Sequence, residues 1–440
     1  MSVKVLKFGG SSLADPEHFK MVSDIVKADP ERRYVVASAP GKCKTSNNKI
    51  TDLLYRCYEL AVDEEDISEV FDEICERYRH IISELNIDIN LDETFEKIRL
   101  AVLNNSGRDY VASRGEYLNS KILAAYLGFD FIDAKKVIFF KDDGSFDAER
   151  TNTVLREKLA KHPRAVIPGF YGSMPNGTIK TFSRGGSDIT GSIVARAANA
   201  SLYENWTDVS GFLMADPRCV DNPKPIDIIT YKELRELSYM GATVLHEDAI
   251  FPVRAAKIPI NIRNTNKPED KGTFIVSATD TASDYVITGI AGKVGFSTVN
   301  IEKAMLNAEL GFGRRVLQVI EELKISYEHF PSGIDTMTLV LSTKDLERAR
   351  ADIMAGICKS VNPDNIFVED NLALIAIVGR GMVKTKGTAM RVFKALAEAD
   401  INIRMIDQGS SELNIIVGVD ENDYVPALNA IYSEFVKEEK

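Results

Sequence analysis

Thr181-Phe182-Ser183-Arg184-Gly185-Gly186-Ser187-Asp188-Ile189-Thr190-Gly191 is the stretch on which the reading of this chain turns. A charged pair, Arg184 and Asp188, brackets two glycines, with Ser187 and Thr190 beside them. Upstream, Thr178 to Phe182 alternates as a short strand does. Downstream, Ile193 to Ala198 is alanine-rich and free of glycine and proline, which predicts helix. The segment therefore reads as strand, glycine turn, helix start. There, free backbone N–H groups and the positive helix end converge on one point and suit an anion. An ordinary capped turn is the simpler alternative. Against it, an arginine fork grips carboxylate or phosphate, and a plain turn has no need of the aspartate.

A second glycine turn opens the chain. Val3 to Phe8 reads as a strand that ends in Gly9-Gly10-Ser11-Ser12. A helix capped by Asp15, with Pro16 in its first turn, follows, and then a nearly all-apolar strand, Tyr34 to Ser38. Strand, helix, strand is a βαβ unit, and Gly9-Gly10 falls at a strand's carboxyl end, where open α/β sheets place their ligands. Lys7 stands two residues before amides that can hold a phosphate. Neither G-x-x-x-x-G-K-[ST] nor G-x-G-x-x-G after a strand occurs, so a P-loop or a dinucleotide site is not supported.

The chain has 440 residues, 45% of them hydrophobic, which predicts two or three packed domains. A net charge of −11 argues against nucleic acid or an anionic membrane as the main partner. Five scattered cysteines without CxxC spacing indicate neither a disulfide framework nor a zinc site. The lysines of the opening strand are unlike a signal peptide, and the longest apolar run, Leu372 to Val378, is too short to cross a bilayer. A cytoplasmic protein is expected.

Between the turns, Thr51 opens a helix, and acidic amphipathic helices fill Asp63 to Asn105 with solvated faces. Ser113 to Leu118 begins another helix, placing Glu116 in its first turn, where a carboxylate suits the helix dipole. Ala165 to Phe170 is strand-like and leads through Pro175-Asn176-Gly177 to the central motif. The sole Trp, Trp206, is read as core, at the end of a strand Ser201 to Asp208. Tyr231 to Leu245 reads as helix, and Ile258 to Arg263 and Thr273 to Val276 as strands near an edge. A polar stretch, Ser277 to Asp284, marks a domain boundary. Beyond it a pattern repeats at one interval: Gly311 opens a helix and a strand starts at Ile325; Gly387 opens a helix and a strand starts at Ile401. Each is followed by a strand and a helix, giving two ferredoxin-like β-α-β-β-α copies. The second lacks a last strand, which Asp284 to Ile290 supplies if the first copy is inserted within it. The expected domains are 1–283, then 297–371 as the inserted module, and 284–296 with 372–440 as the other.

With these residues in view, the chain resembles aspartokinase over essentially its full length. Lys7 to Ser12, Ser183 to Asp188, Trp206 to Gly211 and Ala215 to Arg218 match the family's signatures in order, and the C-terminal repeats resemble paired ACT regulatory modules. The resemblance implies an amino-acid-kinase fold, an open and mainly parallel sheet between helices. It implies phosphorylation of the β-carboxylate of L-aspartate, with MgATP as co-substrate, magnesium carried by the nucleotide, and no prosthetic group. By it, Lys7 contacts the transferred phosphoryl group and Asp188 organises the lysine. Ser38, Thr51, Glu116, Arg184, Gly185, Gly186 and Ser187 hold aspartate. Lys7, Gly9, Gly10, Ser11, Thr207, Asp208, Leu213, Asp216, Arg218, Thr243 and Val244 line the nucleotide. Leu306, Glu309, Gly311, Phe312, Gly313, Ser326, Tyr327 and Glu328 form an effector site, for lysine or alternatively threonine. A homodimer or dimer of dimers through residues 284–440 is expected. Thr243 departs from the family, which often carries Lys there and so a cationic contact to the nucleotide. The segment Met305 to Gly313 matches the family only around Gly311. Rival readings are a glutamate, acetylglutamate or nucleotide acceptor on the same fold, and a non-catalytic amino-acid sensor.

Overall fold

A computed structural model describes residues 2–43, 46–183, 185–242, 251–279 and 285–436. The chain divides into two compact units: residues 1–212, 225–231 and 244–279 form the first, and 213–224, 232–243 and 280–440 the second.

The first unit begins with β1 (Lys4–Phe8), α1 (Pro16–Lys27), β2 (Arg32–Ala37) and the helices α2 (Ile50–Val62), α3 (Ser68–Glu84), α4 (Asp92–Leu103) and α5 (Arg108–Leu127). Then come β3 (Asp130–Phe131), α6 (Ala148–Ala160), β4 (Ala165–Pro168), the hairpin β5 (Tyr171–Ser173) and β6 (Ile179–Thr181), α7 (Gly186–Ala197), β7 (Leu202–Thr207) and β8 (Ile228–Thr230). Helix α8 (Tyr231–Tyr239) passes into the second unit, and α9 (Phe251–Ala255), β9 (Ile260–Asn264) and β10 (Thr273–Val276) return to the first. Among the described residues eight strands make one sheet in the order β3-β4-β2-β1-β7-β9-β10-β8, and every pairing there is parallel except β9 with β10.

Period-two alternation sorts the side chains of this sheet. Leu6, Phe8, Val35, Ala37, Val166 and Trp206 join the core made with α1 to α5. Lys7 and Asn205, paired in register, point to the other face, where α7 packs on β1, β2 and β7. Trp206 is core, as read, and its indole N–H donates to Glu204 at 2.9 Å. Asp15 caps α1 as expected, its carboxylate accepting the His18 amide at 3.0 Å. One expectation fails: α5 starts at Arg108, not at Ser113, so Glu116 lies two turns inside a buried helix rather than at its dipole end. Arg108 to Ser113 lacks apolar spacing, which hid its helical character.

In the second unit, among the described residues, five strands follow the order β12-β11-β13-β15-β14. These are β11 (Gly289–Glu302), β12 (Thr336–Ser342), β13 (Asn365–Val378), β14 (Met405–Asp407) and β15 (Asn414–Asp420), with helices α10 (Phe312–Glu322), α11 (Thr343–Val361), α12 (Thr388–Glu398) and α13 (Tyr424–Val436). Two strands are long because each serves twice. Residues 296–302 of β11 pair with β12 and with 365–372 of β13, while 289–293 pair with 374–378, the part of β13 that also carries β15. No strand begins at Ile325 or Ile401. The first is replaced by isolated bridges at His329 and Ser332, and the second is delayed to Met405. Leu323 and Ile325 turn inward to pack under α10 instead of extending along a sheet. The expected strand start at Asp284 and the end of the boundary segment lie outside the described residues.

Candidate active site

The carboxyl ends of β1, β2, β4 and β7 meet at one rim of the first unit's sheet. The chain leaves β1 for β2 on one side and later returns to β1's other side as β7, so this rim is a topological switch point. Lys7 is the last polar side chain of β1, 7% exposed, and its Nζ lies 2.6 Å from Asp188 Oδ1. Asp188 stands in the first turn of α7, and the same Oδ1 accepts the Asn205 amide at 2.8 Å. Strand register puts Asn205 beside Lys7, so one carboxylate is pinned by two neighbours on the sheet face. Tyr203 donates its hydroxyl to the Asp188 carbonyl at 3.1 Å and fixes the backbone as well. Asn205 was not recognised in the sequence. Its signal was an amide inside an otherwise buried parallel strand, two residues before Thr207.

The glycine turns are close-packed. A Cβ on Gly9 would sit 3.6 Å from Lys7 Nζ, and one on Gly10 would meet the Ala39 carbonyl at 2.9 Å. Gly185 caps α7 in the left-handed conformation (φ 57°), where glycine is unstrained. Across the rim Phe170 holds φ 81°, an unusual backbone for an aromatic residue. Thr190 secures it: its Oγ1 accepts the Phe170 amide at 3.1 Å and donates to the Gly186 carbonyl at 2.9 Å. Ser187 is buried against Gly169, whose missing Cβ leaves room for it.

Glu116 reaches the same rim from α5. It is 5% exposed, and burial pushes its carboxyl up to about 8, although the Ala39 amide works the other way. Among the described residues its Oε2 has no hydrogen-bond partner, an expensive state for a buried oxygen. Gly115 lets α5 approach Ala39, and Asn119 ties the Ser38 carbonyl to α5 at 2.6 Å. Ser38 and Thr51 are half-buried nearby in sequence, after β2 and in the first turn of α2. Thr207 and Asp208 close β7, with Thr207 Oγ1 donating to Asp208 at 3.1 Å. Ser11 begins a short 3-10 turn after Gly10.

Leu213, Asp216 and Arg218 belong to the second unit, where Arg218 clamps Asp216 at 2.5 Å and holds that carboxyl below its ordinary range. Arg184, Thr243 and Val244 lie outside the described residues. Of the effector set, Gly311 caps α10 with φ 73°, directly before Phe312 and Gly313. Leu306 and Phe312 turn their side chains into the core, Glu309 is paired with Lys303 at 2.8 Å and with Arg315, and Ser326 and Tyr327 are exposed. Glu328 accepts the Tyr239 hydroxyl at 2.5 Å.

The amino acid kinase family matches residues 2–264, and an ACT domain matches residues 375–435. Aspartokinase 3 of Bacillus subtilis is 41% identical, covering 98% of each chain. The aspartate kinase of Clostridium acetobutylicum superposes with a TM-score of 0.92 at 53% identity, covering 99% of this chain and 100% of that one. Escherichia coli aspartokinase III matches at 26% identity in two states. With aspartate and ADP (R-state) the TM-score is 0.73, covering 98% and 99% of the two chains. With lysine and aspartate (T-state) it is 0.75, covering 99% and 100%. The chain belongs to the amino acid kinase family, in its aspartokinase branch with C-terminal ACT modules, and is a kinase. Among the described residues no helix is long and apolar enough to cross a membrane.

Proposed function

We propose that the chain transfers the γ-phosphoryl group of MgATP to the β-carboxylate of L-aspartate, giving 4-phospho-L-aspartate and ADP. The observation that carries this reading is the buried Lys7–Asp188 pair set beneath two glycine turns at a sheet switch point. Phosphoryl transfer needs alignment and charge neutralisation more than covalent help. Lys7 supplies a cation whose position Asp188 and Asn205 fix in advance. No general base is required, because the acceptor carboxylate is already ionised at pH 7. Glu116, with an oxygen unpartnered among the described residues, suits the ammonium of a free amino acid; an acylated acceptor has no such group. Arg184 is assigned the α-carboxylate, with Ser38, Thr51, Gly185, Gly186 and Ser187 completing the acceptor site. Thr207, Asp208, Leu213, Asp216, Arg218, Thr243 and Val244 take the nucleotide with Gly9, Gly10 and Ser11. The E. coli relative holds aspartate and ADP, which supports both substrates. The test is ADP release from ATP with aspartate, glutamate or acetylglutamate. Turnover with aspartate at least about a hundredfold above the others supports the assignment, and a preference for glutamate or acetylglutamate refutes it.

The reaction belongs, on this reading, to the cytoplasmic synthesis of lysine, threonine and methionine, with an end product as inhibitor. We assign residues 1–283 to catalysis, 297–371 to an inserted ACT module and 284–296 with 372–440 to the other. The double use of β11 and β13 supports that division. Lysine is the proposed effector: the Gly311 turn offers amides to its carboxylate and Glu328 takes its side-chain ammonium. The lysine complex of the E. coli enzyme favours this choice over threonine. Lysine must displace Tyr239 from Glu328, so binding there is coupled to the end of α8. Strand β14 leaves a sheet edge for pairing between subunits, whereas residues 328–333 already bond along the outer edge of β12; the free β14 edge supports a homodimer or dimer of dimers through residues 284–440.

A further inference from the structure

The mechanism above leaves one cluster of cations unused. Tyr110, Arg114, Tyr117 and Lys121 recur at helical spacing and form one stripe of α5. Glu116 leaves the helix on a different side. The stripe and the start of α4 line a cavity of about 670 Å³, within the range of small-molecule sites.

Arg114 is 7% exposed, yet it has no carboxylate partner among the described residues. Its Nε and Nη2 donate only to neutral oxygens, the Tyr110 carbonyl at 3.3 Å and Ser113 Oγ at 2.9–3.2 Å. Its guanidinium is held between the rings of Tyr110 and Tyr117, 4.5 and 4.6 Å from their centroids, with Tyr171 behind it at 5.3 Å. The fork is therefore rigid, and Nη1 makes no hydrogen bond among the described residues. Lys121 Nζ lies 5.4 Å from the same Tyr117 centroid, so two like charges share one ring. Burial and the nearby Lys97 both push the Lys121 ammonium down.

The acidic groups around the cavity are already engaged. Asp92 is paired with Arg79 at 2.8 Å and Glu93 with Lys97 at 3.2 Å. Asp133, which also acts on Lys121, accepts the Tyr171 hydroxyl at 2.7 Å and the Lys135 amide at 3.0 Å. A buried, pre-oriented arginine with no carboxylate partner among the described residues, beside a half-buried lysine that only Asp133 offsets, is costly unless an anion joins them. The start of α4 adds the positive end of its peptide dipole.

We propose that the groove between α4 and α5 binds a dianionic small molecule, an organic phosphate monoester, through Arg114 and Lys121. A phosphate monoester is largely dianionic at pH 7 and presents three oxygens, matching a two-pronged fork and a point charge. Tyr110 and Tyr117 form apolar walls for the ester group. The site is separate from the kinase chemistry, and Lys121 and Lys97 have no part in that chemistry.

The test is calorimetric titration of the full chain with phenyl phosphate, in saturating ADP so that the nucleotide site is filled. Succinate, a dicarboxylate, is the parallel probe. The expected result is phenyl phosphate binding with Kd on the order of 1 mM or tighter, about tenfold weaker in Lys121→Ala, with Arg114→Lys weakened similarly. Aspartate and ATP kinetics of Lys121→Ala stay within about twofold of the parent, which also shows that the variant folds. Absence of phenyl phosphate binding, or binding that Lys121→Ala leaves unchanged, overturns the site. Succinate binding where phenyl phosphate does not bind overturns the phosphate assignment.

Discussion

Lys7 carries a charge in a nearly dry position, and its neighbours hold it still rather than neutralise it completely. Asp188 shares one oxygen between Lys7 and Asn205, and among the described residues the Lys7 ammonium meets no other acceptor, which leaves donors for the glycine turn. Lys7→Ala in a folded protein is expected to lower kcat on the order of 100-fold or more, with smaller changes in either KM. Single-turnover measurements showing near-parental chemistry would remove Lys7 from the reaction. Glu116 makes a pH-dependent prediction. With its carboxyl at about 8 when the site is empty, most of it is neutral at pH 7, and binding an ammonium requires it to ionise. The aspartate KM is therefore expected to fall about tenfold per pH unit below 8 and to level off above it, while the ATP KM does not follow. The sign for stability is opposite. The folded state holds this proton more tightly than the unfolded chain, so its contribution is full below about 4.5 and is lost as pH rises through about 8. Glu116→Gln removes both trends; a KM profile unaltered in that variant would place the aspartate ammonium elsewhere.

At the scale of single elements, α7 is held to the sheet by the absence of a side chain. A Cβ on Gly191 would lie 2.4 Å from the Tyr203 hydroxyl, the group that fixes the Asp188 carbonyl. Gly191→Ala is expected to destabilise by about 1–3 kcal/mol through overpacking and to lower kcat as well, since α7 carries Asp188. A thermal melt and a turnover assay on one preparation decide this: an unchanged melting temperature contradicts the packing, and full activity contradicts the link from helix to site. Much of this layer was legible beforehand. The turn before α7, the βαβ unit and the cap at Asp15 rest on local rules of glycine, proline and side-chain capping, which act within a few residues. Glu116 was misread because α5 opens on Arg108 and Asp109, exposed or half-buried residues that carry no apolar signal of a helix start. Asn205 escaped because its partner is 17 residues away on another element. The strands expected at Ile325 and Ile401 failed because packing under α10, and a late strand start, overrode local β preference.

For the whole molecule, the repeat after the boundary could be read because hydrophobic spacing recurs, whereas the sharing of β11 and β13 between two sets of partners depends on register and could not. Inhibition is expected only if lysine prefers a conformation with a poorer catalytic site. Glu328→Ala should raise the lysine concentration for half-inhibition about tenfold or more, with uninhibited turnover preserved. Lysine inhibition unaltered in that variant, or inhibition by threonine alone, would contradict the proposed pairing. The central claim is the acceptor atom, and trapping the product with hydroxylamine tests it most directly. With ATP and L-aspartate, the parent chain is expected to give the β-hydroxamate of aspartate in step with ADP, and Lys7→Ala almost none. ADP formed without hydroxamate, or hydroxamate formed from glutamate in preference to aspartate, would contradict the account.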